Sequence, residues 1–250
     1  MISRKFIIWA CGLLFVFSSC AEDMVKPIEN DKDAPGTVQD VKTESLPGAV
    51  KFTYTLPSDP DLLYVLAKYT NKTGKVMEFR SSFYTNSVTV EGFGDTDTYK
   101  VELYTVDRSE NRSQPQIVEV APLTPPILSC YESLSVVSDF GGMTFEMDNK
   151  FKSDLAIYVC TPDELGDMVL AETFYSAREE IVYSVRGYDA VPRRFGIFLQ
   201  DKYGNETDTL FTELTPIYER ELDKTKFREM YLQNDSRVES YAVSYTHLTL

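Results

Sequence analysis

Ala49-Val50-Lys51-Phe52-Thr53-Tyr54-Thr55 runs directly into Leu56-Pro57-Ser58-Asp59-Pro60, and this stretch decides the fold. Its first half alternates apolar and polar residues, which places Val50, Phe52 and Tyr54 on one face of an extended strand. Its second half holds two prolines and an aspartate, a turn cluster that ends the strand. The same pattern recurs outward from it. Leu63 to Tyr69 reads as a second strand closed by Asn71-Lys72-Thr73-Gly74, and Val76 to Ser81, Ser87 to Glu91, Tyr99 to Val106 and Gln116 to Val120 follow. No segment sustains a helical period, so these short strands predict an all-β sandwich over residues 36–121.

Ala121-Pro122-Leu123-Thr124-Pro125-Pro126 interrupts the pattern. Proline fixes φ and cannot donate to a ladder, so 122–126 reads as a stiff linker. A second set of strands follows: Leu134 to Val137, Met143 to Met147, Asp154 to Cys160, Met168 to Phe174, Glu179 to Val185, Arg194 to Gln200 and Thr207 to Thr212. They predict a second β-sandwich over residues 127–216. Upstream, Glu22 to Pro35 is polar and reads as a flexible tether. Downstream, 217–241 reads as a charged connector or short helix opening a third domain.

The two blocks share a signature. Tyr104-Thr105-Val106-Asp107-Arg108-Ser109-Glu110-Asn111-Arg112-Ser113 aligns with Phe198-Leu199-Gln200-Asp201-Lys202-Tyr203-Gly204-Asn205-Glu206-Thr207. In each, a strand ends in Asp, an Asn follows four residues later, and a hydroxyl residue begins the return. Asp and Asn bond nearby backbone and tolerate left-handed geometry, which is hairpin chemistry. Leu-Thr-Pro follows both hairpins, at Leu123 to Pro125 and at Leu214 to Pro216. Two related sandwiches in tandem are expected.

The termini carry other information. Arg4 and Lys5 precede an apolar run, Phe6 to Phe17, too short to span a bilayer as a helix. A basic start, a short apolar stretch and the small residues Ser18 and Ser19 make residues 1–19 a secretory signal. Small residues directly before Cys20 resemble the bacterial lipobox, which implies a lipid on the Cys20 thiol and a membrane anchor, although Phe17 stands where Leu is usual. An ordinary signal peptide with an incidental cysteine is the alternative. Glu22 and Asp23 resemble the surface-export signal of Bacteroidetes-type lipoproteins, or else simply begin the linker of residues 20–35. At the other end, Val243-Ser244-Tyr245-Thr246-His247-Leu248-Thr249-Leu250 resembles a translated sequencing adapter, the alternative being a natural β-strand. Residues 242–250 are therefore set aside, and the natural chain is expected to continue beyond about Tyr241.

Composition narrows the function classes. About 220 residues remain after these exclusions, room for two ordinary domains. The net charge of −14 disfavours nucleic acid, whose phosphates call for a basic face. Of four cysteines, Cys11 leaves with the signal and Cys20 carries the anchor. Cys130 and Cys160 are either a disulfide, which an exported protein permits, or two buried thiols. Neither Cys-x-x-Cys spacing nor a histidine partner supports zinc. Only one histidine, His247, occurs, so serine and cysteine triads lack their usual base. Glycoside hydrolysis needs two carboxylates across a cleft, whereas Asp95 and Asp97 sit in a turn-like loop. Calcium takes six to eight oxygens, while Asp59 with Asp61, and Asp107 with Glu110, offer two carboxylates each. No enzyme, metal or cofactor is called for.

Gly48 to Val106, through Gly48-Ala49-Val50-Lys51-Phe52-Thr53-Tyr54-Thr55-Leu56-Pro57 and Asp61-Leu62-Leu63-Tyr64-Val65-Leu66-Ala67-Lys68-Tyr69, resembles a fibronectin-type-III-like domain of Bacteroidetes surface lipoproteins of unknown function. The second block is similar to its usual neighbour. In that family a discoidin-like, galactose-binding-like domain follows, and Phe227 to Tyr241 resembles its first strand. The resemblance implies a non-catalytic surface lipoprotein of the outer membrane, accessory to glycan capture beside a porin-type uptake complex. A structural module docking on that complex is the alternative. Sugar-binding modules stack ligands on exposed aromatic faces. With Trp9 lost in the signal, Phe83 and Tyr84, in Ser81-Ser82-Phe83-Tyr84-Thr85-Asn86, are the candidate ligand-facing pair; packing is their competing role.

Overall fold

The computed structural model describes residues 32–220 and 223–226. The signal, Cys20, the tether to residue 31 and residues 227–250, including the expected start of a third domain, lie outside the described residues.

The first sandwich comprises β1 (Gln39–Leu46), β2 (Ala49–Thr55), β3 (Leu62–Thr70), β4 (Val76–Ser82), β5 (Ser87–Glu91), β6 (Tyr99–Asp107) and β7 (Gln116–Val120). One sheet runs β1-β2-β5 and the other β4-β3-β6-β7, with every pairing antiparallel. After a short helix, α1 (Pro126–Glu132), come β8 (Ser135–Asp139), β9 (Gly142–Asp148), β10 (Leu155–Pro162), β11 (Met168–Ser176), β12 (Glu180–Arg186), β13 (Arg193–Asp201) and β14 (Leu210–Leu214). Their sheets run β8-β9-β12 and β11-β10-β13-β14, strand for strand the order of the first sandwich. The protein is all-β, two fibronectin-III-like sandwiches in tandem.

Alternation explains both cores. Val50, Phe52 and Tyr54 point inward from β2 and meet Val65, Ala67 and Tyr69 from β3. In the second sandwich Met143, Phe145 and Met147 meet Leu155, Ile157, Val159, Phe195, Ile197 and Leu199. Fully burying a side chain such as Phe52 or Phe145 contributes roughly 2–3 kcal/mol each, so each sandwich holds its own core.

The structure adds two elements that the sequence pattern hides. Strand β1, Gln-Asp-Val-Lys-Thr-Glu-Ser-Leu, is exposed along most of its length, so it shows no alternation; pairing with β2 makes it a strand, across a bulge between Gln39 and Lys42 where Asp40 has φ of +50°. Helix α1 begins at Pro126, with Pro125 as its extended N-cap. Proline suits the first helical turn because its missing N–H is not needed there. The prolines read as a spacer thus start a helix, which buries Ile127 and Cys130 against the second core. The linker is also stitched to the first sandwich: Gly48 N donates to Leu123 O (3.0 Å), and Leu123 N donates to Leu46 O (3.0 Å).

That stitch corrects the tripeptide parallel. The counterpart of Leu123 is Ile217: Gly141 N donates to Ile217 O (2.8 Å), and Ile217 N donates to Asp139 O (2.9 Å). Leu214 instead ends β14. Backbone pairing sets the equivalence, and the repeated Leu-Thr-Pro lies three residues away from it. Likewise β14 starts at Leu210 and not at Thr207, because the Thr207 hydroxyl is used to accept from Leu199 N (3.0 Å).

Cys130 and Cys160 are separate thiols. Cys130 lies among the second core, its Sγ 3.6 Å from Asn149 Oδ1, whereas Cys160 alternates with the inward Val159 and so faces out from the other side of its sheet. The sheet thus stands between the two thiols. Burial pushes the Cys130 thiol up to about 11 and raises that of Cys160 as well. Because the thiolate is the reactive form, iodoacetamide at pH 8 should leave Cys130 of the native protein unmodified. After denaturation without reductant both cysteines should alkylate; mass spectrometry finding neither modified would establish a disulfide.

Candidate functional site

The two hairpin turns are built alike, atom for atom. Asp107 Oδ1 accepts from Ser109 N (2.8 Å) and Asn111 N (2.8 Å), while Asn111 Nδ2 donates to Asp107 Oδ2 (2.9 Å). Asp201 Oδ1 accepts from Tyr203 N (2.9 Å) and Asn205 N (2.9 Å), while Asn205 Nδ2 donates to Asp201 Oδ2 (2.8 Å). Each turn closes by a hydroxyl, Ser113 on Thr105 N (3.1 Å) and Thr207 on Leu199 N. In both turns the aspartate satisfies backbone donors that burial would otherwise leave unpaired.

The turns also reach backward along the chain. Asn111 Nδ2 donates to Asp33 O (3.4 Å), at the entry to the first sandwich. Asn205 Nδ2 donates to Gly92 O (3.1 Å), at the exit of β5, and so joins the two sandwiches. Beside it the Tyr203 hydroxyl donates to the Glu91 carboxylate. Burial, then this carboxylate, raises the Tyr203 phenol well above its ordinary value.

Glycine makes the docking site. Gly92 has φ of +85°, and a Cβ there would stand 2.8 Å from Tyr203 Cγ; one on Gly94 would stand 2.6 Å from Asn205 Oδ1. Side chains at either position would hold the second sandwich away. Gly48, with φ of +62°, similarly admits Pro125 and Pro126, whose atoms lie 3.3 and 3.1 Å from where its Cβ would be. The elbow is therefore closed by a turn on one side and by the linker on the other.

Two clefts flank this latch. The larger, about 760 Å³, is lined by Thr73 and Lys75 from the first sandwich and by Tyr158, Tyr175 and Gln200 from the second. The smaller, about 310 Å³, lies on the linker side, and Asp154, Asp201, Lys202 and Tyr203 line both. Tyr175 is 73% exposed, and Tyr158 donates to Gln200 Oε1 (3.1 Å). Tyrosine faces ringed by amide, carboxylate and ammonium groups suit a polyhydroxylated ligand, and a volume of this order lies in the range of small-molecule sites.

The sequence-predicted candidates lie elsewhere. Phe83 and Tyr84 form the turn after β4, at the pole of the first sandwich opposite the elbow; their rings stand 4.0 Å apart and Tyr84 is 85% exposed. The two rings, tilted by 34°, pack on each other outside both clefts. Three of the four carboxylates weighed for calcium are occupied within the fold: Asp59 accepts from Gly36 N (2.8 Å), Asp107 holds its turn, and Glu110 accepts from the Tyr64 hydroxyl (3.1 Å). Asp95 and Asp97 grip Lys72 at 2.5 and 2.6 Å. Among the described residues no three His, Cys, Asp or Glu side chains gather to hold a metal ion, and no helix is long and apolar enough to cross a membrane. What sequence reasoning missed is Tyr203. The aligned turns contain its signal, since Tyr203 stands where the first turn has a small serine, Ser109.

Comparison with known proteins follows the same division. Residues 35–122 match the model of Domain of unknown function (DUF4959), and residues 123–225 that of Domain of unknown function (DUF5126). The chain carries these two domains in tandem. The DUF4959 domain ends, and the DUF5126 domain begins, within the stitched linker. None of the curated proteins matches. Among solved structures, SusE-like protein BT2857 is 33% identical over 44% of this chain, with a TM-score of 0.34; this chain spans 39% of the length of that protein. A two-domain fibronectin type-III segment of chicken tenascin is 12% identical, covering 72% of this chain and 99% of its own, with a TM-score of 0.34. The chicken interferon gamma receptor alpha chain is 10% identical, covering 74% and 100%, with a TM-score of 0.28.

Proposed function

We propose that the protein is a non-catalytic, lipid-anchored lipoprotein of the outer-membrane surface, accessory to glycan capture, in which the DUF4959 and DUF5126 domains form one fixed arm. The observation that carries this reading is the latch of Tyr203 and Asn205 on Gly92 and Gly94, which sets the sandwiches at one angle beside a tyrosine-lined polar cleft. The anchor reading draws on Ser18-Ser19-Cys20, and export on Glu22-Asp23.

Affinity electrophoresis through gels containing neutral and acidic polysaccharides tests capture. At least one glycan should retard the chain from Ala21 onward, and Tyr175→Ala should weaken that retardation about tenfold without changing thermal stability. Co-purification with an outer-membrane complex, unaffected by glycan and by Tyr175→Ala, would replace glycan capture with the docking reading. Cys20→Ser should move the protein from the membrane fraction to the soluble one; a variant still sedimenting with membranes would refute the anchor.

A further inference from the structure

We propose that the far pole of the second sandwich is a second docking socket, occupied by the polypeptide that continues from Phe227. The internal repeat shows it. The socket of the first sandwich consists of Gly48, Glu91, Gly92 and Phe93, with Phe93 N donating to Gly48 O (3.1 Å). At the far pole stand Gly141, Arg186, Gly187 and Tyr188, with Tyr188 N donating to Gly141 O (2.9 Å). Sheet register fixes the match, because Ala49 faces Glu91 as Gly142 faces Arg186. Backbone conformation repeats too: Gly48 and Gly141 have φ of +62° and +63°, and Gly92 and Gly187 have +85° and +102°.

The two sockets differ in what fills them. At Gly92 a Cβ would strike the Tyr203 ring, whereas at Gly187 none of the described residues lies within 4 Å. Around the open position Phe140, Val191 and Tyr218 leave 46%, 54% and 70% of their surface exposed, an apolar patch of the kind that marks an interaction site.

Chain path identifies the occupant. The first sandwich hands the chain from Leu123 to Pro125 and Pro126 across Gly48, and the next polypeptide then fills its socket. The second hands it from Ile217 to Glu219 across Gly141, where a Cβ would stand 2.5 Å from Glu219 Oε2. The continuation holds Phe227, Met230, Tyr231 and Leu232, apolar groups matched to the patch, and Glu229 beside them. Arg186 stands where Glu91 stands in the first socket, and it already pairs with Asp139 (3.7 Å) and Glu219 (3.7 Å) of the described chain.

Hydroxyl-radical footprinting of the full chain decides it, by comparing wild type with a variant carrying Phe227→Ser, Met230→Ser and Leu232→Ser. Oxidation of Phe140 and Tyr218 should rise at least threefold in the variant, with Ile117, exposed on the first sandwich, as the unchanged control. The surface variant Val191→Glu should speed tryptic cleavage after Arg228 by a similar factor. Equal oxidation and equal cleavage throughout would overturn the proposal. Shielding that grows with protein concentration alongside dimer formation would overturn it in favour of a second copy.

Discussion

Replacing Gly142 with alanine should unfold the second sandwich and leave the first standing. Gly142 opens β9 opposite Arg186 of β12, and a Cβ there would fall on the carbonyl of Val185. The obstacle is backbone within a paired sheet, so no side chain can swing aside. Either the β9–β12 ladder parts or the strand shifts, and a shift by one residue would send Met143, Phe145 and Met147 to the wrong face. The cost should exceed about 3 kcal/mol, a large part of a domain's stability of roughly 5–15 kcal/mol. Calorimetry should show the second sandwich's transition lost or lowered by more than about 10 °C, given a few degrees per kcal/mol for a domain of this size. The first sandwich, whose core is separate, should retain its transition. A thermogram identical to wild type would show that the pairing at Gly142 relaxes freely.

The second large effect is one of shape. Gly92→Val places a β-branched residue at φ of +85° and pushes Cβ into the Tyr203 ring. Tyr203→Ala removes the same contact without backbone strain. Both should open the elbow, seen as an increased maximum dimension in small-angle X-ray scattering, while the far-ultraviolet spectrum stays that of two intact sandwiches. pH should act on the same joint. The Tyr203 phenol is raised above its ordinary value of 10.0, chiefly by burial and then by Glu91, so the docked state favours the neutral form. A raised value means that the contribution is complete below pH 10.0 and fades as pH climbs toward the docked value. Wild type should therefore open only in strongly alkaline solution. Tyr203→Phe, lacking the ionisable group, should lose that pH dependence. If Gly92→Val and Tyr203→Ala scatter like wild type, the latch does not set the angle.

Most of the strands were legible because each buries one face, and burial writes period-two alternation into the sequence. Ser87–Glu91 and Gln116–Val120 were read to the residue on that basis. Strand β1 was not, since an exposed edge strand imposes no such pattern and its identity comes from a partner distant in sequence. Helix α1 escaped for a related reason: at seven residues it is too short to show a period, and its prolines serve equally well to stiffen a linker or to start a helix. The elbow was half legible. The Asp-to-Asn spacing announced a hairpin, but only the three-dimensional placement shows that Asn205 bonds Gly92 or that two glycines leave room for Tyr203 and Asn205. Phe83 and Tyr84 illustrate the converse. Tyr84 is exposed, yet position along the chain does not reveal which pole of the sandwich presents it.

The placement of the two hairpin turns gives the arm a direction. Each turn contacts what precedes it, Asp33 in one case and Gly92 in the other, so every unit has a leading and a trailing end that are not alike. Such joints are heterologous: they add units in a line and do not close into symmetric pairs. Inserting one more copy of the same unit would therefore lengthen the arm by a fixed step and turn it by a fixed angle. Length and bearing are thereby encoded in the number of units and in the handful of residues at each joint, independently of what either core contains.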